Sequence, residues 1–519
     1  MLRKRFIPAF TVLLAIIMVL PLLAACSANN GSDTSNNANN QNNNNNNPDE
    51  IPGDGGEDPA DSGGASAREQ EIIPDYLPDE DYGGYEFNVL VRYDSSVHYA
   101  PWEARDIFAE EETGDPINDS VYKRNRYVED KYNCVITQTK KTDYNNLLKR
   151  AVNAGEDTYD LFYANLNDIT GVAANGYFYD LMSVPNIDLS KPWWDQNAQK
   201  SLSIANILFF CPSNLIIMHN DCTSAIVFNK ELIKDYSMED PYKLVKDGKW
   251  TVDRLIAMSK DISKDVNGDG IMNEHDMYGY ACYRDSSLSL MHGAGGRIAQ
   301  KDPDDLPVLT LNSEVAINAL NKAFDLMYAP SAFNVHKELE GKYDAIYQLT
   351  EKMFIENRAL FYWILLHDIE QFRNMDADFG IIPIPKYSET QKDYGCTVNQ
   401  YHGHAVAIPV TVQDIDRTSV ILESLTAKSR YTLLPAYYDI SMQRKFTRDE
   451  ESADMLDIIF DSQVYDLGAI YNFGGYSWDI IWMTMSHNRD IVSLYEKKEK
   501  TGLKDIDRIT AKYVDIASR

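Results

Sequence analysis

Apolar patterns of strand and helix type alternate along the chain between residues 85 and 164. Strand patterns at 85–91, 134–136 and 159–164 are separated by helical patterns at 118–132 and 144–154. Successive strands joined by helices lie parallel in one sheet, so this alternation predicts a mainly parallel α/β domain. Ligands of such sheets bind beyond the carboxyl ends of the strands. The loops that follow Val91 and Ala164 are therefore expected to face a ligand site.

The chain of 519 residues is too long for one such domain. A second α/β pattern begins near 225–228, strand patterns return at 379–382 and 403–408, and the spacing is mostly helical after about Asp414. A single hydrophobic core rarely extends beyond about 250–300 residues, so we expect two lobes. The predicted boundaries are 83–224 plus about 379–430 for the first lobe, 225–378 for the second lobe with its calcium loop, and 431–519 for a helical part that completes the second lobe and the cleft.

Residues 1–25 have the pattern of an export signal peptide. Lys4 and Arg5 give a positive start, an apolar run spans 10–20, and small residues follow. The sequence LAAC ending at Cys26 resembles the bacterial lipobox, which implies cleavage before Cys26 and a lipid such as palmitate on this cysteine. A permanent membrane span is the alternative, but it needs about 20 apolar residues, and Pro8 and Pro21 bracket a shorter stretch.

Residues 26–82 have the composition of a disordered tether. The segment contains an unbroken run of asparagine at 42–47 and then mainly Pro, Gly, Asp and Glu. Because it has few aromatic and branched side chains, it cannot bury enough apolar area to offset its chain entropy. About 50 such residues would hold a folded body on the order of 40 Å from its anchor. The expected location is the extracellular face of the cell membrane, with the lipid on Cys26 as the anchor.

The charge and the cysteine content exclude several kinds of partner and site. A formal net charge of −30 makes nucleic acid and anionic lipid surfaces unfavourable partners, because like charges repel. Without Cys26, the six cysteines leave an odd number that has neither a CxxC pair nor a Cys/His cluster. This pattern indicates neither a disulfide framework nor a zinc site. A single disulfide between Cys211 and Cys222 stays open.

Residues 265–276 match the twelve-position calcium loop of an EF-hand. Oxygen-bearing side chains stand at positions one, three, five and nine, glycine at position six and a carboxylate at position twelve. Asp276 at position twelve is shorter than the usual Glu, so we expect weak, structural Ca²⁺ binding with a Kd of about 10⁻⁴ to 10⁻³ M. An acidic turn without metal is the alternative. The predicted ligands are Asp265, Asn267, Asp269, Ile271 through its carbonyl, Asn273 and Asp276.

Four stretches occur in a specific order: AGEDTYDLF at 154–162, YDL with PWW at 179–194, FNKEL with WT at 228–251, and FGIIPIPK at 379–386. Together they resemble the family 1 extracellular solute-binding proteins, the group that includes maltose-binding protein. The sequence FIENR at 354–358 lacks the glycine that many members have there. The resemblance implies a periplasmic-binding-protein-like fold of type II, in which two α/β lobes joined by hinge strands close on a solute. It also implies capture of a carbohydrate, delivery to the permease subunits of a bacterial ABC importer, and no catalysis.

Sugars present apolar ring faces and hydroxyl edges, so their sites combine aromatic with planar polar side chains. By resemblance to sugar binders, Asn167 and Asp168 stand where polar contacts follow a strand, and Trp478 matches a late stacking aromatic. Asn and Asp are equally typical of a helix N-cap, and core packing is the alternative for the aromatic residues. The predicted substrate contacts are Asn167, Asp168, Trp194, Trp363, Tyr476 and Trp478.

Three functions are consistent with these patterns. The first is a monomeric solute-binding lipoprotein. The second is a surface glycosidase, which would need two carboxylates held roughly 5–10 Å apart, and no local motif for a nucleophile and its base indicates one. The third is a sensor lipoprotein that presents its closed form to a membrane kinase, which the sequence does not separate from import.

Overall fold

The computed structural model describes residues 72–93, 102–336, 339, 341–343, 346–443 and 450–518. The predicted signal peptide, Cys26 and the tether up to residue 71 lie outside the described residues. Across the described ranges, no helix has both the length and the apolar composition that a membrane span requires.

The described residues form strands and helices in mixed order. The strands are β1 Tyr85–Arg92, β2 Cys134–Lys141, β3 Leu161–Asn165, β4 Ser224–Asn229, β5 Tyr278–Cys282, β6 Ala299–Lys301, β7 Pro307–Leu309, β8 Ala332–Asn334, β9 Ala359–Leu365, β10 Phe379–Ile382, β11 Cys396–Thr397, β12 His404–Ala407 and β13 Gln463–Val464. The α-helices are α1 Pro116–Tyr132, α2 Tyr144–Ala154, α3 Leu166–Ala173, α4 Gln196–Leu202, α5 Met218–Asp221, α6 Lys230–Asp235, α7 Pro241–Lys246, α8 Val252–Ser259, α9 Ser286–Gly293, α10 Glu314–Met327, α11 Gln348–Ile355, α12 Ile415–Arg430, α13 Leu433–Gln443, α14 Glu450–Asp461, α15 Leu467–Ile470, α16 Tyr476–Met485 and α17 Ile491–Ala517. Two 3₁₀ helices span Leu366–Asn374 and Phe473–Gly475.

The first sheet has the strand order β12-β3-β1-β2. β1 is parallel to both β2 and β3, with Tyr85 opposite Cys134 and Val89 opposite Leu161. α1 and α2 make the connections between these strands. β12 arrives from far along the chain and pairs antiparallel with β3. The predicted parallel α/β arrangement is therefore confirmed for this part of the chain.

Local sequence signals set the ends of the crossover helices. The Asp115 carboxylate accepts hydrogen bonds from the backbone N–H groups of Ile117 and Asn118, at 3.1 and 3.0 Å, and Pro116 stands in the first turn. α1 therefore begins two residues before the predicted start. α2 spans the predicted range and ends at Gly155, whose φ of 69° is the left-handed conformation that glycine adopts without strain.

The second sheet has the order β10-β4-β9-β5-β8. β9 is parallel to β5 and antiparallel to β4. β10 pairs antiparallel with β4, with Ile382 opposite Ile226. The assignment of residues 379–382 to the first lobe is therefore wrong, whereas β12, from the same predicted range, does lie in the first sheet. A short apolar strand carries no information on which of two sheets it joins, since both offer it a buried position.

Each of the two large sheets has its own apolar core, and short segments connect them. The chain passes from one sheet to the other through Cys222–Ser224 and again between β10 and β12. β11 lies in this second passage and pairs in parallel with β13. Chain segments that cross between two cores can act as a hinge. After residue 414 the described chain is almost entirely helical, as predicted.

Residues 72–82, which the sequence analysis placed in the tether, pack against the first core. Ile73, Leu77 and Tyr82 are partly buried there. The backbone N–H of Ile73 donates to the Tyr431 hydroxyl at 2.8 Å, and that of Tyr82 donates to the carbonyl of Tyr132 at 2.8 Å. The folded body therefore begins by residue 72. Three apolar residues in an acidic, proline-containing context gave too weak a periodicity to reveal this contact.

Candidate functional site

A cavity lies at the carboxyl ends of β5 and β9, beside the segment that links the two sheets. Trp363 and Leu365 belong to the end of β9, and Asp285 follows shortly after β5. This position agrees with the rule that ligands of α/β sheets bind beyond the carboxyl ends of the strands. The cavity is lined by Asp285, Leu288, Ser289, Trp363, Leu365, Thr397, Asn399, Gln400, Tyr401 and Ile481.

The indole N–H of Trp363 is a buried hydrogen-bond donor that is left without an acceptor. Trp363 is 5% exposed, and its Nε1 has no hydrogen-bond partner among the described residues. A buried polar group without a partner costs about 1–3 kcal/mol, so natural structures rarely leave one unpaired. Strand alternation places Trp363 on the same side of β9 as Leu365, which also lines the cavity. The arrangement makes the indole N–H available to a bound solute.

Asp285 supplies a carboxylate to the same cavity, and the sequence analysis missed it. Burial raises the pKa of Asp285, although the nearby charge of Arg284 and a hydrogen bond with Asn399 act in the opposite direction. The Nε atom of Arg284 lies 3.8 Å from the Asp285 carboxylate. The side chain of Asp285 keeps 26% of its surface exposed, so it can accept hydrogen bonds from a solute. Its position just beyond a strand was the signal that could have found it.

Trp478 packs against Tyr401, one of the residues that line the cavity. It is 39% exposed on α16, and its ring centroid lies 5.0 Å from that of Tyr401 at an interplanar angle of 37°. Trp482 follows one turn later on the same helix and is 41% exposed. The Arg284 guanidinium lies over the Trp482 ring, 5.7 Å from its centroid. An exposed aromatic surface therefore extends outward from the cavity.

Two of the predicted aromatic contacts lie in the core instead. Tyr476 is fully buried, and its hydroxyl donates to the backbone carbonyl of Tyr495 at 3.1 Å. Trp194 is 1% exposed, and its indole N–H donates to the Glu423 carboxylate at 2.9 Å. The prediction that Tyr476 and Trp194 contact the solute is therefore corrected. The adjacent glycines, which favoured an exposed loop at Tyr476, instead form a tight turn before α16.

Asn167 and Asp168 lie at the carboxyl end of β3, but both make hydrogen bonds within the protein. Asn167 Nδ2 donates to the backbone carbonyl of Ile470 at 3.1 Å, and the Asp168 carboxylate accepts from the Tyr144 hydroxyl. Neither residue caps α3, because Asn165 is the N-cap and accepts from the backbone N–H of Asp168 at 2.7 Å. Neither residue lines the cavity around Trp363.

Trp102 and Arg105 make direct contacts between the two lobes, apart from the cavity around Trp363. The Trp102 ring stacks on His402, with centroids 4.4 Å apart, and lies 4.9 Å from the His367 ring that follows β9. Trp102 packs against both large cores. The Arg105 guanidinium donates to Asp221 at 3.2 Å and to Glu370 at 3.4 Å. The geometry corresponds to two lobes held in contact, and a change in their relative position would have to break these interactions.

The predicted calcium loop forms a compact acidic turn. Backbone N–H groups of Gly268 and Gly270 donate to the Asp265 carboxylate at 2.6 and 2.8 Å. Asp276 is buried, and its two carboxylate oxygens accept backbone N–H groups at 3.0 and 2.9 Å. Burial works to raise the pKa of Asp276, but these hydrogen bonds prevail and the pKa is lowered. Among the described residues, no three His, Cys, Asp or Glu side chains converge closely enough to hold a metal ion. Calcium binding therefore stays a prediction.

The comparisons with known proteins bear on the fold. Neither family models nor curated proteins give a match to this chain. The structure is similar to that of UspC from M. tuberculosis, with 14% identity and a TM-score of 0.53, covering 80% of this chain and 99% of that one. It is also similar to a cyclo/maltodextrin-binding protein complexed with maltotetraose, with 13% identity and a TM-score of 0.50. That match covers 83% of this chain and 96% of the other chain. The likeness confirms the predicted type II periplasmic-binding-protein fold.

Proposed function

We propose that this chain is the solute-binding lipoprotein of a bacterial ABC importer and that it captures a carbohydrate between its lobes. The observation that carries the proposal is the buried, unpaired indole N–H of Trp363 inside a cavity that also holds Asp285 and Tyr401. A donor, a carboxylate and an aromatic ring face are the groups that a hydroxylated ring requires. The similar cyclo/maltodextrin-binding protein, which is complexed with maltotetraose, supports the same ligand class.

In the proposed mechanism, open and closed arrangements of the lobes exchange, and the solute shifts the population towards the closed one. The contacts of Trp102 with His367 and of Arg105 with Glu370 join the lobes when they are closed. The cavity in the present arrangement is only about 10 Å³, room for roughly one water molecule, so a solute enters when the lobes open. When the lobes close around it, its contacts with both of them stabilise the closed form, which the permease subunits would recognise. Because the solute is only carried, the site needs no reactive group.

The composition of the cavity lining also supports binding without turnover. Glycoside hydrolysis uses a pair of carboxyl groups on either side of the scissile bond. Asp285 is the one acidic residue among the residues that line the cavity. Its neighbours there are neutral polar, aromatic and aliphatic side chains. The lining therefore supports a carrier over a surface glycosidase.

The proposal is tested by calorimetry on the full-length chain in detergent. The panel consists of malto-, cello-, xylo- and manno-oligosaccharides of one to six units, together with dipeptides and nucleosides. We expect saturable binding of at least one sugar series, with no reducing ends released during a long incubation. Tight binding of only a dipeptide or a nucleoside, or hydrolysis of the bound sugar, would contradict the proposal.

The lipid anchor and the calcium ion belong to the same proposal. The Cys26→Ser variant should be released from cells that retain the parent chain, because it lacks the acylated sulfur.

Calcium in the loop should raise the melting temperature of the parent chain, since an ion bound only by the folded state stabilises that state. A chelator should reverse this rise. The melting temperature of the Asp265→Ala variant should not change with calcium. Equal calcium responses of parent and variant would remove calcium from the proposal.

A further inference from the structure

Thr397 stands where the cavity meets the link between the lobes. It belongs to β11, is 6% exposed and lines the cavity. Its backbone N–H donates to the Ser224 hydroxyl at 2.9 Å, at the start of β4 in the second sheet. The backbone around Thr397 is therefore fixed relative to β4. A solute in the cavity would lie beside this residue and the link at the same time.

A buried chain of hydrogen bonds leads away from the Thr397 side chain. Its Oγ1 lies 2.9 Å from Nδ1 of His292, and Nε2 of His292 lies 3.0 Å from a carboxylate oxygen of Asp466. All three residues are at least nine-tenths buried. The three side chains come from β11, α9 and the turn before α15, so the chain of hydrogen bonds depends on tertiary packing and has no local sequence motif.

The surroundings of Asp466 fix its charge state. Its carboxylate accepts backbone N–H groups from Ile298 at 2.6 Å and Gly468 at 2.7 Å, in addition to the His292 ring. Burial works to raise the pKa of Asp466, but the hydrogen bonds from His292 and Ile298 and the positive charge of Arg297 prevail, and the pKa is lowered. Asp466 is therefore an ionised carboxylate that can only accept hydrogen bonds. The nitrogen that faces it, Nε2 of His292, must carry a proton.

The tautomer of His292 then fixes the Thr397 hydroxyl. Burial lowers the pKa of His292 below its ordinary value, although the hydrogen bond and the negative charge of Asp466 act in the opposite direction, so the ring is neutral near pH 7. A neutral ring with its proton on Nε2 has only a lone pair on Nδ1. The Thr397 hydroxyl must donate its single proton to that lone pair. Its oxygen can therefore only accept hydrogen bonds from any other partner.

We propose that Thr397 is a solute contact that accepts a hydrogen bond from a hydroxyl of the bound molecule, and that His292 and Asp466 are positioning residues that hold it in this role. The inference rests on the proposed function and deepens it. Trp363 offers a donor and Thr397 an acceptor in one cavity. A hydroxyl group can satisfy either partner, whereas a carboxylate or a ketone can satisfy only the donor. The pair of partners therefore favours a hydroxyl over a carboxylate or a ketone at this point of the cavity.

The first test measures the His292 tautomer in the intact protein without a ligand. Long-range ¹⁵N–¹H spectra of the full-length chain labelled at histidine, assigned with the His292→Gln variant, report which ring nitrogen is protonated. We expect the neutral Nε2–H form at pH 7. The Nδ1–H form or a doubly protonated ring would overturn the proposal, because Thr397 would then be free to donate.

The second test compares Thr397→Val with Thr397→Ser, using the oligosaccharide of the panel that the parent chain binds most tightly. Removal of the hydroxyl in Thr397→Val should weaken binding by roughly tenfold to a hundredfold, and Thr397→Ser should stay within about threefold of the parent. Melting curves of both variants establish that they are folded. If Thr397→Val folds and binds as tightly as the parent, Thr397 is not a solute contact.

The outcomes separate this inference from the proposed function. If no sugar of the panel binds the parent chain, the proposed function falls, and the role of Thr397 falls with it. If a sugar binds the parent chain and the Thr397→Val variant binds it equally tightly, only the present inference falls. If Thr397→Val does not fold, the tautomer measurement on the parent chain still decides the proposal.

Discussion

Two clusters of tryptophans in this protein, Trp193 with Trp194 and Trp363 with Trp478, differ in how their indole groups are bound. In the first lobe, Trp193 and Trp194 are buried, and both indole N–H groups donate to the Glu423 carboxylate, at 2.8 and 2.9 Å. At the cavity, Trp363 is almost as buried, but its N–H has no partner among the described residues. Trp478 leaves 39% of its surface exposed. Burial alone therefore does not separate the two clusters; they differ in whether the indole N–H has an acceptor.

The largest effect that would distinguish the clusters comes from the Glu423→Ala variant. It should lower the free energy of unfolding by about 2–6 kcal/mol, because two buried N–H groups each lose an acceptor at a cost of about 1–3 kcal/mol. Urea denaturation of parent and variant measures the change. The sugar affinity of the folded variant should stay as in the parent. A stable variant with impaired binding would reverse the roles given to the two clusters.

The pH dependence of stability should carry the signature of Glu423. Burial raises the pKa of Glu423 to about 7, against the opposing hydrogen bonds from the two indoles, compared with 4.5 for an ordinary glutamate. A raised pKa in the folded state means stability that is fully present below about pH 4.5 and is lost as the pH rises through about 7. The loss is at most about 3 kcal/mol. Relative to Glu423→Gln, the parent chain should therefore lose stability between pH 4.5 and 7, measured by urea denaturation at each pH. A constant difference would contradict the buried carboxylate.

At the cavity, the Trp478→Ala variant should lower sugar affinity by roughly tenfold, or about 1.4 kcal/mol. The exposed ring offers a stacking face, and its removal leaves the core intact, so the unfolding free energy should change little. Trp478→Phe keeps an aromatic face and serves as the matched control. Calorimetry on the three chains measures the effect. Equal losses in Trp478→Ala and Trp478→Phe would exclude stacking as the cause.

A smaller effect is expected for the Trp363→Phe variant. It keeps a buried aromatic ring but removes the unpaired N–H, so sugar affinity should fall by roughly fivefold, about 1 kcal/mol. The free energy of unfolding should change by less than about 1 kcal/mol, because no hydrogen bond within the protein is lost. Calorimetry and urea denaturation together measure both quantities. A large loss of stability without a loss of affinity would make Trp363 a core residue like Trp193.

The elements of the fold followed closely from the sequence. The helix at 144–154 and the strand at 379–382 have the predicted bounds, because their apolar spacing is local and strong. Which sheet the strand at 379–382 joins was not predictable, since a four-residue strand fits either sheet. The contact of residues 72–82 with the first lobe depends on a tertiary surface that no local pattern encodes.

The site was harder to predict than the fold for the same reason. Of the predicted contacts, Trp363 lines the cavity and Trp478 packs against Tyr401 of its lining, whereas Tyr476 and Trp194 lie in the core. Their partners, Tyr495 and Glu423, are distant in sequence. Asp285 belongs to no motif and became visible only once β5 placed it beyond a strand end.

The central claim is that a solute occupies the cavity beside Trp363 and leaves the first-lobe tryptophans untouched. A ¹⁵N–¹H spectrum resolves the indole N–H groups of all seven tryptophans of the chain. On saturation with the sugar that binds most tightly, the Trp363 signal should move and its solvent exchange should slow, while the signals of Trp193 and Trp194 stay in place. A Trp363 signal that does not move under saturating sugar would contradict the account.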